Sequence, residues 1–147
     1  MLFQILNHAH SGWRWIVLIL LLINISNAMV AWRGIRAVST RDVKLSLFGM
    51  ISVHIQALLG IILYFQSPNV HFGPTTMSNA HIRFFTVEHV FGMLVAIILI
   101  TFAYRKNKSA AAGTGKVSTV FWYYLIALLI ILISIPWPFR GFGNGWF

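Results

Sequence analysis

The sequence lacks cysteine and has very few acidic residues. Its 147 residues include no cysteine and only two acids, Asp42 and Glu88, against 11 lysines and arginines. The absence of cysteine excludes disulfides, iron–sulfur clusters and thiolate catalysis. Charged residues make up 9% of the chain and hydrophobic residues 59%, whereas a soluble domain carries about 25% charged residues. This composition indicates an integral membrane protein.

Four long apolar runs account for most of the chain. They cover residues 12–32, 45–65, 82–104 and 118–137. Each has roughly the 20 residues that a helix needs to cross about 30 Å of hydrocarbon at 1.5 Å per residue. Because the links between the runs are short, the sequence predicts an all-α protein. We expect one transmembrane domain over residues 1–147, folded as an up-down bundle of four helices.

Most basic residues lie in two of the links, and this predicts the orientation of the bundle. Eight of the eleven follow the first or the third run: Arg33, Arg36, Arg41, Lys44, Arg105, Lys106, Lys108 and Lys116. Membrane proteins keep such clusters in the cytoplasm, so we expect both basic links inside and both termini outside. In a bacterium this means the inner membrane with periplasmic termini. Topology accounts for the net charge of +9, so no nucleic-acid partner is expected.

All six histidines lie in or beside the outer half of the predicted bundle: His8, His10, His54, His71, His81 and His89. On adjacent spans, His54 would lie roughly 17 Å and His89 roughly 10 Å below the outer face. Buried imidazoles need partners, and a haem iron, another metal or mutual hydrogen bonding would each serve. We favour haem, with His54 and His89 as axial ligands. His10 is an alternative ligand or a quinol contact.

Other candidate residues surround this pair. Glu88 is the only acid inside an apolar run, but adjacent helical residues diverge by about 100°, so it points away from His89. We expect Glu88 to handle protons at the rim of the site, or alternatively to pair with Arg14 or Arg83. Both arginines are also candidates for binding haem propionates. Gly92 shares the helical face of His89 and would leave room for a flat ring.

Four segments of the chain read NHAHSGWRW, SVHIQALLGIILYF, RFFTVEHVFGM and IPWPF. They resemble a group of short bacterial four-helix membrane proteins catalogued as cytochrome b-like. More distantly, the layout is similar to the cytochrome b561 type, whose members bind two b haems and exchange electrons with quinones or superoxide. The resemblance implies haem ligation by His54 and His89, with His10 as a further candidate. The cytoplasmic half lacks histidine, so one haem b is expected here rather than two.

These observations predict a small b-type membrane cytochrome. It would pass electrons between membrane quinol and an acceptor at the outer face, or work within a respiratory complex. Two alternatives stay open. The small chain, with little mass outside the bilayer, also suits a non-catalytic accessory subunit of a larger membrane complex. In the other, a metal ion or a quinone binds without haem, through His10, His54, Glu88 and His89.

Overall fold

A computed structural model describes residues 2–142, and within that range the chain contains helices and no strand. Four helices are long and apolar enough to cross a membrane: α1 (Leu2–Trp32), α2 (Thr40–Gln66), α3 (Ala80–Ala111) and α4 (Val117–Ser134). The predicted all-α fold with four membrane-length helices is confirmed. The chain is therefore a multi-pass membrane protein whose environment is a lipid bilayer.

The helices begin and end at other residues than the apolar runs, and the local sequence explains two of these differences. α1 begins at Leu2, because the polar residues before the first run include no proline or glycine. α4 ends at Ser134, earlier than predicted, because Pro136 disfavours the helical conformation of the residue before it. Ile135 accordingly has an extended ψ of 132°. A short 3-10 helix, Pro138–Arg140, follows.

Each helix packs against its neighbours in sequence, and α4 also packs against α1. The bundle is therefore closed, with α1 diagonally opposite α3 and α2 diagonally opposite α4. Three alanines in its core, Ala96, Ala103 and Ala127, are completely buried and let the helices approach closely. We call the end that carries the start of α1 and the end of α4 the terminal end. The opposite end, with links 33–39 and 112–116, is the basic end.

Two hydrogen bonds define the register of α2 against α3. The Tyr64 hydroxyl donates to the Thr86 carbonyl (3.0 Å), and the Asn107 amide donates to the Asp42 carbonyl (3.3 Å). The helices are antiparallel, so moving inward from Tyr64 and Thr86 by equal steps places His54 at the level of Ala96. The same counting places His89 about 10 Å nearer the terminal end than His54.

A polar network at the basic end ties link 33–39 to α2. Ser39 caps the helix by accepting from the Asp42 N–H, and the Asp42 carboxylate accepts from the Ser39 N–H at 2.8 Å. Arg36 donates to the same carboxylate at 2.9 Å and to Asn27 at 3.1 Å. The hydrogen bond to Asp42 raises the pKa of Arg36 above its ordinary value. Sequence reasoning treated Arg36 only as a topology signal, and the structure adds this local role.

A hydrogen bond between Ser46 and Tyr124 joins the diagonal helices α2 and α4, and both side chains are fully buried. Tyr124→Phe should lower the free energy of unfolding by about 1–3 kcal/mol, because it leaves the Ser46 hydroxyl buried without this partner. Ser46→Ala combined with Tyr124→Phe should recover most of the loss, since no unpaired hydroxyl is left. Unfolding in detergent measures both, with Tyr123→Phe as the control. If the double variant lost as much free energy of unfolding as the two single variants together, Ser46 and Tyr124 would not be coupled.

Candidate functional site

His10 of α1 and His89 of α3 meet across the diagonal of the bundle. Their ring centroids are 6.4 Å apart and their planes are inclined at 69°. A metal ion held at about 2 Å by an imidazole nitrogen lies about 3 Å from the ring centre, so two imidazoles on opposite sides of one ion have centres about 6 Å apart. The separation of His10 and His89 therefore suits two ligands of a single ion.

The backbone of α4 fixes the ring of His89. Its Nδ1 lies 2.7 Å from the Ser134 carbonyl oxygen. A carbonyl only accepts hydrogen bonds, so Nδ1 carries the proton and Nε2 keeps its lone pair. Metal-binding histidines are commonly oriented in this way. Sequence reasoning missed Ser134 because its contribution is a main-chain oxygen, which no pattern of side chains reveals.

His10 is held from the other side by α2. A Cβ at Gly60 would lie 3.1 Å from His10 Cε1, so the absence of a side chain there makes room for the imidazole. Gln56 Nε2 donates to the His10 carbonyl at 2.9 Å. Within residues 2–142, His10 Nδ1 and Gln56 Oε1 are buried with no hydrogen-bond partner. The site therefore has buried polar atoms that a ligand can satisfy. Gln56 could have been identified from the sequence as a candidate, because it is a polar residue within an apolar run.

Arg14 lies one helical turn from His10 and is buried, with 8% of its surface exposed. Its guanidinium carbon is 5.5 Å from the ring centroid of Trp15 and 5.6 Å from that of Trp137. These distances are within the range of cation–π contacts. The structure thus places a positive charge near the histidine pair at the terminal end, where an anionic group of a ligand would be attracted.

His54, predicted as the partner of His89, does not face it in the bundle. It is exposed on α2, and its Nδ1 lies 2.7 Å from the Met50 carbonyl of its own helix. Helical spacing identifies the residues that share a face, but not how the helix is rotated about its axis. The rotation of α2 in the bundle turns Gln56 and Gly60 toward His10, and His54 away from it.

A π-helical turn, Phe84–Glu88, immediately precedes His89 within α3. Such turns widen the helix by bonding i to i+5 and are frequent at functional sites. The Thr86 carbonyl in this turn accepts the hydrogen bond of Tyr64. The π turn rotates the direction of the following side chains of α3, starting with His89. A count at 3.6 residues per turn therefore predicts the wrong direction for His89 relative to the residues before the turn.

Glu88 and Arg83 pair with each other on the surface of α3. Arg83 Nε donates to Glu88 Oε1 at 2.6 Å, and the two side chains are 37% and 47% exposed. Arg83 also donates to the Met77 carbonyl at 2.9 Å. This geometry matches the ion-pair alternative for Glu88. It gives no support to a propionate contact for Arg83 or a proton-handling role for Glu88 beside the histidines.

Glu88→Gln tests the role of the carboxylate. An exposed ion pair contributes about 0.2–1 kcal/mol, so the variant should lose at most that much stability. It should also keep any redox activity of the wild type, because the carboxylate lies at the surface of α3. Arg83→Gln is the matched control, since it breaks the same pair from the other side. A large loss of activity in Glu88→Gln alone would restore the proton-handling interpretation.

Gly92 serves the contact between α3 and α4. A Cβ at this position would overlap the Ser134 hydroxyl and would lie 3.2 Å from Ser134 Cβ. The room that the sequence predicts there for a flat ring is thus filled by α4. Gly92 supports the site indirectly, because the close approach of the helices brings the Ser134 carbonyl to His89.

Two small cavities among the described residues lie away from the histidine pair. One, of about 10 Å³, is near the basic end and is lined by Asn24, Asn27, Ala28, Val38, Asp42 and Asn107. The other, deeper in the core beside Tyr124, has no room for a water molecule. Neither cavity is lined by His10 or His89, so a haem held by these two residues would require side chains around them to move.

No protein-family model, curated protein or solved structure was found to match the chain.

Proposed function

We propose that the chain is a small b-type membrane cytochrome with one haem between His10 and His89. The observation that carries the proposal is that the His10 and His89 imidazoles meet across the bundle, with their ring centroids 6.4 Å apart. The sequence favoured His54 as the partner of His89 and kept His10 as the alternative. The geometry favours that alternative, because His10 faces the core and His54 does not.

Each residue of the site has a role in this proposal. Haem, when bound, supplies a centre that accepts and gives one electron at a time. His10 and His89 would hold the haem iron, and the Ser134 carbonyl, which accepts from His89 Nδ1, would orient His89 and increase its basicity. Arg14 is placed to attract a propionate. The electron partners proposed are a quinol in the membrane and an acceptor at the terminal end, which would face the periplasm of a bacterial inner membrane.

A haem-free metal ion is the second candidate, and the closed packing around the pair favours it. A single ion between the two imidazoles needs no porphyrin-sized cavity, and imidazole suits zinc, copper, iron and nickel. Within residues 2–142, no group of three or more His, Cys, Asp or Glu side chains could hold an ion. Such an ion would thus have two protein ligands, fewer than a structural zinc site.

A reduced-minus-oxidised spectrum of the purified protein separates the candidates. We expect b-type bands with one haem per chain when the protein is produced in cells supplied with a haem precursor. Protein without these bands but with a stoichiometric metal would support the second candidate. Protein with neither, which co-purifies with larger membrane subunits, would support the accessory-subunit alternative and contradict both proposals.

A further inference from the structure

The histidine pair leaves His54 without a role. His54 is exposed about 20 Å from either end of α2, which is near the middle of the bilayer if this helix spans it. An ionisable side chain at this depth is costly, and it usually faces a bundle interior or marks a functional site. His54 does not face the interior, so its exposure calls for a partner from the membrane.

The hydrogen bond within α2 determines what kind of partner His54 can take. Its Nδ1 lies 2.7 Å from the Met50 carbonyl, which only accepts, so Nδ1 donates and Nε2 keeps a lone pair. The acyl chains around it offer no hydrogen-bond donor, and the bilayer core holds no water to replace one. The partner must therefore bring an O–H or N–H group to Nε2.

A second copy of the chain bound symmetrically through His54 does not meet this requirement. Both copies would then present the same Nε2 lone pair, and no proton would be available between them. The surface beside His54 is apolar, since Leu58 and Ile61 follow on the same helical face and are 62% and 53% exposed. It therefore suits a molecule that combines a hydroxyl group with an apolar ring and tail.

We propose that His54 binds the hydroxyl group of a membrane quinol, with the ring and tail of the quinol along Leu58 and Ile61. The inference rests on the proposed function, because it locates the quinol with which the cytochrome exchanges electrons. The oxidised quinone carries carbonyl groups in place of hydroxyls and cannot donate to Nε2. The site therefore prefers the reduced form.

The test compares a short-tailed benzoquinol, kept reduced, with the corresponding benzoquinone. Equilibrium dialysis against the full chain in detergent micelles should show the quinol binding about five- to tenfold more tightly, the ratio expected from one hydrogen bond. His54→Leu should abolish this preference. His54→Gln should keep part of it, because the glutamine oxygen can also accept. His71→Leu, which removes an exposed loop histidine, is the control and should bind like the wild type.

Two results would overturn the proposal. One is equal affinity of the wild type for quinol and quinone, or a preference that persists in His54→Leu. The other is efficient disulfide cross-linking of His54→Cys into dimers in membranes, which would show that a second copy covers this surface. The chain has no native cysteine to confuse that experiment.

The binding readout does not depend on haem, so the two proposals fail separately. A protein with b-type bands and no quinol preference would overturn the His54 site and leave the cytochrome in place. A haem-free protein that still prefers quinol would overturn the cytochrome, and would leave His54 as a quinol site in a protein of another function.

Discussion

His89→Ala and His10→Ala are each expected to abolish the b-type bands, whereas His54→Ala should retain them in full. Each of the first two variants removes one of the two imidazoles that meet across the bundle, so a bound haem would lose one of its two proposed histidine ligands and with it the spectrum of a haem with two histidines. His54 is exposed on α2 and its Nδ1 contacts a carbonyl of its own helix, so we do not expect it to hold the haem iron. The measurement is the amplitude of the reduced-minus-oxidised bands per mole of protein.

The controls separate loss of a ligand from loss of fold. His81→Ala removes a histidine near the terminal end and should leave the bands unchanged. His89→Gly leaves a space in which added imidazole can bind, so imidazole should restore part of the spectrum. If the bands survive His10→Ala and vanish in His54→Ala, the pairing of His54 with His89 predicted from sequence is right. That result would require α2 to be rotated so that His54 faces the core of the bundle.

The sequence predicted the four helices well because their lengths and composition are imposed by the bilayer. Runs such as 45–65 and 82–104 lie inside helices Thr40–Gln66 and Ala80–Ala111. The predicted helix ends were less accurate near proline, because Pro136 stops α4 before the end of the apolar run. Length and composition thus predict which segments cross the membrane, and local backbone chemistry adjusts where each helix ends.

Which face of each helix points inward could not be predicted, because lipid and core are both apolar. In a soluble protein, the polar residues mark the outside of a helix. In α2, exposed Leu58 and Ile61 are as apolar as buried Val53 and Leu63, so the pattern carries no such mark. The sequence therefore indicated which histidines lie in the outer half of the bundle, but it could not show that the ring of His89 lies near His10 rather than near His54.

The contact between Arg83 and Glu88 shows a second limit of prediction from the sequence. Charged pairs on an α-helix are expected three or four residues apart, whereas these two are five apart. The π-helical turn Phe84–Glu88 begins directly after Arg83 and ends at Glu88, and its bonding at the spacing of five brings both side chains to one side of the helix. Tyr64 of α2 donates a hydrogen bond to the Thr86 carbonyl within this turn, a tertiary contact that local sequence alone does not reveal.

Gly92→Val is expected to lower the free energy of unfolding by about 3 kcal/mol, and it should also weaken haem binding. Overpacking a close helix contact typically costs about 1–3 kcal/mol, and a β-branched side chain at Gly92 has no free rotamer against Ser134. If α4 moves away from α3, the Ser134 carbonyl no longer holds His89 at 2.7 Å. Unfolding in detergent and the haem content of the same preparation give the two measurements.

Gly12→Ala is the matched control, because a Cβ at this helical glycine would meet nothing within 4 Å. Alanine is favoured over glycine in helices by about 1 kcal/mol, so Gly12→Ala should stabilise the protein slightly, whereas Gly92→Ala should destabilise it. Adding Ser134→Ala to Gly92→Ala should recover part of the loss, because it removes the hydroxyl that the new Cβ overlaps. Equal effects of alanine at the two glycines would show that α3 and α4 are not in close contact at Gly92, and the orientation of His89 by Ser134 would then need another support.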